Sequence, residues 1–308
     1  MFLQGMLQTL TLINVPLFLI LTGYLNINKT VSRKYYKGIV RVLVAYLFFS
    51  LVTVFYRSHF LGEQLTAIQW ILKITDFSAI PYAWYIEMWI GLFLLTPFLN
   101  ILWKNIATKR HKQILIATLF VCTALPDFFN RYGVHIVPGY WATMATPLVF
   151  FYIGCYIREY QPVYSSAKLL LVALALCLIN PLANLLLPWT RPMMHFIGSG
   201  NGVVGIPLAT VFFLLFYRVD LKSKVFKSLL AKISMLSLDM YLVSFIFDSL
   251  LHPYYQSVFG GDQATLGWFY PIIVGSIFVL SFGAAYVKDG LFQLVAAVRM
   301  PRARRCVR

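Results

Sequence analysis

Three carboxylates lie inside long apolar stretches of the chain: Glu87, Asp239 and Asp248. An ionisable group in such a stretch is costly to keep, so each is a candidate for function. Glu87 stands in AWYIEMWIGL, beside Trp84, Tyr85 and Trp89. A carboxylate there could accept a proton or take hydrogen bonds from sugar hydroxyls. It could equally bond a neighbouring helix or meet water at a helix end. Asp239 and Asp248 are nine residues apart, two and a half helical turns, and so face roughly opposite ways. They cannot work as a catalytic pair. Asp248 is expected near an outer helix end in solvent, and Asp239 deeper, paired with a hydroxyl or a cation.

The cations form a second group. Lys34, Lys37 and Arg41 follow an i, i+3, i+7 spacing that puts them on one helix face. Such a face can clamp phosphates. The plainer reading is a basic loop of the kind any cytoplasmic connection carries. The five histidines, His59, His111, His135, His195 and His252, fall in loops or at helix ends. None stands beside a nucleophile in a known motif, and each reads as a loop or interfacial histidine. Gly200, Gly202 and Gly205 fit the spacing of a dinucleotide fingerprint, but no strand precedes them. They read instead as a helix start that permits close helix packing. The four cysteines are scattered, with neither metal-ligand nor disulfide spacing, so no metal site is expected.

The elements that must carry these residues are membrane helices. The chain is 60% hydrophobic and 12% charged, with mean hydropathy +0.76, whereas soluble domains are about 25% charged. Apolar length and flanking charge predict an all-α, polytopic helical bundle of about nine transmembrane helices, near 7–25, 39–55, 82–102, 114–129, 141–156, 169–187, 203–216, 233–251 and 266–286. Alternating the loops leaves only Arg57, Lys73, Arg131 and Arg191 of the 26 basic residues outside. That asymmetry predicts an external N-terminus and a cytoplasmic C-terminus. It also accounts for the net charge of +16 without nucleic acid as a partner. Stretches 65–74 and 225–233 have the spacing of short amphipathic helices on the bilayer surface. The expected division is a transmembrane domain over 1–290 and a basic cytoplasmic tail over 291–308. No secretory signal is expected, and no internal repeat is visible.

The order of several short motifs resembles the membrane acyltransferase family 3, the bacterial O-acyltransferases of surface glycans. Val15-Pro16-Leu17-Phe18 and Thr22-Gly23-Tyr24-Leu25 resemble the second helix of that family, and Lys37 to Tyr46 its basic stretch into the third. Trp84-Tyr85, Gly91-Leu92 and Pro97 resemble its WY…GL…P segment. Ile153-Gly154-Cys155-Tyr156 and Ser237-Leu238-Asp239-Met240-Tyr241-Leu242 resemble later landmarks. The resemblance implies transfer of an acyl group, by habit acetyl from cytoplasmic acetyl-CoA, to a hydroxyl of a surface polysaccharide, in a multi-pass protein of the bacterial plasma membrane. It implies an acyl-CoA donor at Lys34, Lys37 and Arg41, with no resident cofactor. It implies a glycan acceptor near Trp84, Tyr85, Glu87 and Trp89, with the lipid bilayer as the remaining partner. The family's proposed catalytic histidine lies on a first helix, and this chain opens at what resembles the second. The expectation is therefore an N-terminally truncated domain whose catalytic residue is unknown, with Glu87 as a candidate. The alternatives are an inactive or partner-completed relative and, further off, a glycan transporter or flippase.

Overall fold

The computed structural model describes residues 2–129, 139–186, 200–259 and 263–299. They form α-helices joined by short turns, with no strand among the described residues. In order these are α1 (Phe2–Thr11), α2 (Asn14–Asn26), α3 (Arg33–Tyr36), α4 (Ile39–His59), α5 (Ala67–Thr75), α6 (Trp84–Asn105), α7 (Lys109–Phe129), α8 (Ala142–Tyr160), α9 (Ser166–Leu186), α10 (Gly205–Phe216), α11 (Lys224–Phe259) and α12 (Gln263–Arg299).

Among the described residues, five segments are long and apolar enough to cross a membrane: Gly5–Asn26, Arg33–His59, Trp84–Asn105, Lys224–Val258 and Trp268–Leu294. Helices also occupy the other four positions expected from hydropathy, as α7 to α10. α4 shows the solvent it was built for. Its buried side carries Tyr46, Ser50, Thr53, Tyr56 and Arg57, while Leu43, Leu47, Leu51 and Phe55 are exposed. A helix that hides hydroxyls and presents leucines to its surroundings is suited to lipid and not to water.

The chain divides into two compact units. The first comprises Met1–Lys37 and Met88–Asp220. Here α2 lies against α8, α7 covers α8, α10 packs on α2 and α9, and α1 lies on α9. The α2–α8 contact is backbone on backbone. A Cβ on Gly23 would stand 1.9 Å from the Phe151 carbonyl oxygen, and one on Gly154 would stand 2.0 Å from that of Ile20. Small residues allow this approach where lipid supplies no hydrophobic drive between helices. Around it Leu19, Ile20, Phe150, Phe151 and Tyr152 are buried. The turn between α1 and α2 follows from Pro16, which has no N–H to offer the Leu12 carbonyl. Gly200 closes on that carbonyl, since a Cβ there would lie 2.3 Å from it. Gly200, the first glycine of the 200–205 pattern, thus permits close packing.

The second unit comprises Gly38–Glu87 and Leu221–Arg308. α11 and α12 pair along their length, α4 lies on α11, and α5 on α4. Lys288 of α12 bonds both carboxylate oxygens of Asp239 at 2.9 Å, with Phe49 and Phe292 around the ammonium. The cation expected for Asp239 is therefore Lys288. α5 is a separate amphipathic helix, as its spacing indicated, and the reciprocal capping box of Thr66 and Gln69 starts it. The 225–233 stretch differs from expectation. It is the first part of α11 and continues without a break into the apolar segment, because no Gly or Pro intervenes there to end the helix. The division expected after residue 290 falls inside α12, which runs on to Arg299.

Two consequences are measurable. Gly23→Ala should force α2 off α8 and cost stability at or above the upper end of the usual overpacking range of about 1–3 kcal/mol. Gly91→Ala should be neutral or slightly stabilising, because nothing lies within 4 Å of the added carbon. Thermal unfolding in detergent compares the two. Lys288→Met should cost about 3–5 kcal/mol by leaving Asp239 without its cation. Adding Asp239→Asn should recover most of that loss, and recovery absent from the double variant would refute the pairing argument.

Candidate active site

In the first unit the basic segment is built from a short capped turn. Ser32 accepts from the Tyr35 amide and starts α3. Tyr35 then fixes α3 to α6. Its hydroxyl donates to the Phe93 carbonyl at 2.8 Å and its ring stacks on Phe93 at 4.4 Å. Trp89, one turn earlier, stacks on the same Phe93 at 5.0 Å. Asn100, also on α6, holds the preceding loop by donating to the carbonyls of Asn26 and Lys29, both at 2.7 Å. Arg33, Lys34 and Lys37 stay exposed on this braced segment, and their side chains have no partner among the described residues. This combination of a fixed backbone and free cationic heads suits a multiply charged anion.

Trp89 therefore supports the basic segment of its own unit, although sequence proximity grouped it with Trp84, Tyr85 and Glu87. A further polar knot went unread. Lys112, almost fully buried, bonds both oxygens of Glu159 at 2.8 and 2.9 Å, while Trp103 donates to the same carboxylate at 2.7 Å. Lys112 stands in a basic run with Lys109 and Arg110, and Glu159 next to Arg158, so each looks solvated in the sequence. Nothing local reveals a partner 47 positions away.

In the second unit Arg41 is exposed and donates to the Met235 carbonyl of α11 at 3.2 Å. Trp84 is half exposed and meets Tyr85 edge-on, and Tyr85 packs edge-on against Tyr241. Glu87 is exposed, with no side-chain partner among the described residues. Asp248 corrects the expectation of a solvated acid. It accepts the Tyr82 hydroxyl at 2.6 Å, and Tyr241 in turn donates to the Tyr82 carbonyl.

The segment leading to Tyr82 is held from α4. Arg57 donates to both oxygens of Glu63 and to the carbonyls of Ser78 and Ala79, with Trp70 under its guanidinium. Phe77 adopts a left-handed φ of 60°, which a bulky residue accepts only when its surroundings impose it. It stacks on Tyr46, whose hydroxyl donates to the Ile74 carbonyl. Beside it the Ser78 hydroxyl and amide bond Asp76 and hold that carboxyl below its usual range. These contacts deliver Tyr82, Trp84, Tyr85 and Glu87 on a fixed backbone.

His59 stacks on Phe55 and meets Ser58, and His252 meets Gln256. His135 and His195 lie outside the described residues.

A family model described as an acyltransferase domain matches residues 1–287. Comparison with curated proteins and with solved structures gave no match. With nearly the whole chain covered by that model and several helices suited to lipid, the chain belongs to the membrane acyltransferase family 3 and is a multi-pass membrane protein.

Proposed function

We propose that this protein transfers an acyl group, acetyl by preference, from cytoplasmic acyl-CoA to a hydroxyl of a surface glycan in a bacterial plasma membrane. The family match over residues 1–287 carries the reaction class. Nine spans with an external N-terminus and a cytoplasmic C-terminus fit the charge asymmetry of the loops and belong to the same proposal. The donor reading is supported by Lys34 and Lys37, charged and unpartnered on a backbone braced by Tyr35 and Asn100. Their ammonium groups would meet the CoA phosphates. Arg41 is a separate candidate on the donor path, shared with its bond to Met235. The acceptor reading is supported by Trp84, Tyr85 and the unpartnered Glu87, an aromatic surface beside a carboxylate. Trp89 would contribute through the support it gives the basic segment.

The chemistry is acyl transfer. A hydroxyl oxygen attacks the thioester carbonyl, the C–S bond breaks, and the proton leaves the hydroxyl as the CoA thiolate departs. Glu87 would accept the hydroxyl's hydrogen bond or its proton. Because thioester and glycan are both large, each needs its own anchoring surface.

The test is acetate release by hydroxylamine from surface polysaccharide, with and without the gene. Ester acetate that vanishes on deletion and returns with the gene supports the proposal, and an unchanged acetate content overturns it. In the purified protein, Lys34→Gln with Lys37→Gln should raise the acetyl-CoA KM about three- to tenfold, less than a buried pair would give because these heads are exposed. Glu87→Gln should lower kcat about tenfold or more with the donor KM unchanged, as loss of a general base or hydroxyl acceptor does. Activity equal to wild type would return Glu87 to the surface.

A further inference from the structure

We propose that Asp248, oriented by Tyr82, grips a hydroxyl of the acceptor, a neutral polyhydroxylated carbohydrate. This rests on the acyl-transfer reading above and adds a residue that the sequence left as a solvated helix end.

Asp248 is partly buried on α11, and no lysine or arginine forms an ion pair with it among the described residues. The other deep acid of this helix, Asp239, has its lysine. A carboxylate offers about four lone-pair sites, and the Tyr82 hydroxyl at 2.6 Å fills one, on Oδ2. Oδ1 receives no hydrogen bond from the described residues. Asp248 is only partly buried, and Oδ1 is not among the buried unpartnered atoms of the described residues, so its remaining sites are open to a small neutral O–H donor from outside.

The phenol itself is prevented from swinging away. Tyr241 bonds the Tyr82 carbonyl, Phe245 meets the Tyr82 ring edge-on at 5.8 Å, and the segment before Tyr82 is clasped by Arg57. Ser249, the next residue on α11, is tied to Tyr56. His252, one turn further along, meets Gln256 and is not bonded to Asp248. The result is a carboxylate with open lone pairs beside the Tyr82 ring, itself flanked by Tyr241 and Phe245, a setting that offers hydroxyls an acceptor and sugar faces an apolar platform. A cationic acceptor would also be drawn to a lone carboxylate, and that possibility is one arm of the test.

The experiment uses the full chain in nanodiscs, a neutral oligosaccharide and an amino-sugar oligosaccharide as acceptors, and acetyl-CoA as donor. Donor affinity, acetyl-CoA hydrolysis and acceptor KM are read separately. Asp248→Asn should raise the KM for the neutral acceptor about tenfold, leaving donor affinity and hydrolysis unchanged. Tyr82→Phe keeps the carboxylate but frees it, and should raise the same KM about threefold. It decides the matter alone if Asp248→Asn does not fold. An unchanged acceptor KM in the folded variants overturns the proposal. So does a loss in donor affinity that matches the loss in acceptor use, which marks a structural role. A preference for the amino sugar that disappears in Asp248→Asn overturns the neutral-acceptor assignment. If the wild type binds acetyl-CoA but transfers to neither acceptor, the acyl-transfer reading has failed, and the role of Asp248 falls with it.

Discussion

The first unit depends on two helices touching without side chains between them. Where Gly23 and Gly154 meet the opposite backbone, any larger residue would occupy the space of a carbonyl oxygen. In lipid that closeness is what binds helices, since dispersion and dipoles between backbones replace the drive to leave water. α2 is then a fixed post. The loop after it is tied by Asn100, α3 is stacked on Phe93, and the exposed cations inherit the precision of a contact several turns away.

The second unit solves a different problem, keeping charge in an apolar setting. Two of its acids, Asp239 and Glu63, have cations of their own in Lys288 and Arg57. Arg57 combines this with order. Its planar fork reaches one carboxylate and two carbonyls, a task for which a lysine has the wrong shape. The left-handed Phe77 is the cost of the tight turn that brings those carbonyls within reach, offset by its stacking on Tyr46.

What the sequence revealed and what it hid divide along a physical line. Hydropathy and cap chemistry are local, so the long helices and the amphipathic α5 could be read directly, whereas the first apolar stretch, read as one span over 7–25, is two helices parted before Pro16. The family was legible because its motifs keep their order. Pairings such as Lys112 with Glu159, Asp239 with Lys288 and Tyr82 with Asp248 join positions 47 to 166 residues apart, and no periodicity encodes them. Trp89 shows the limit most simply. Five positions separate it from Trp84, yet it stacks on Phe93 with Tyr35, because a helix sends such neighbours to different faces. The roles proposed for Lys34, Lys37, Arg41 and Glu87 rest on exposure and charge together with the family.

The continuity of α11 has a mechanical consequence. The run from Lys224 to the residue before the internal Pro253, at 1.5 Å per residue, makes a rod of about 44 Å, against about 30 Å of hydrocarbon. Even at the usual tilt of about 20° the rod outreaches the bilayer core. Its basic start, with Lys224, Lys227 and Lys232, is therefore no hinged foot that could slide along the headgroups by itself. A push on those lysines, from a change in surface charge or a docking neighbour, would travel as a rigid displacement to Asp239 and Asp248 on the same shaft.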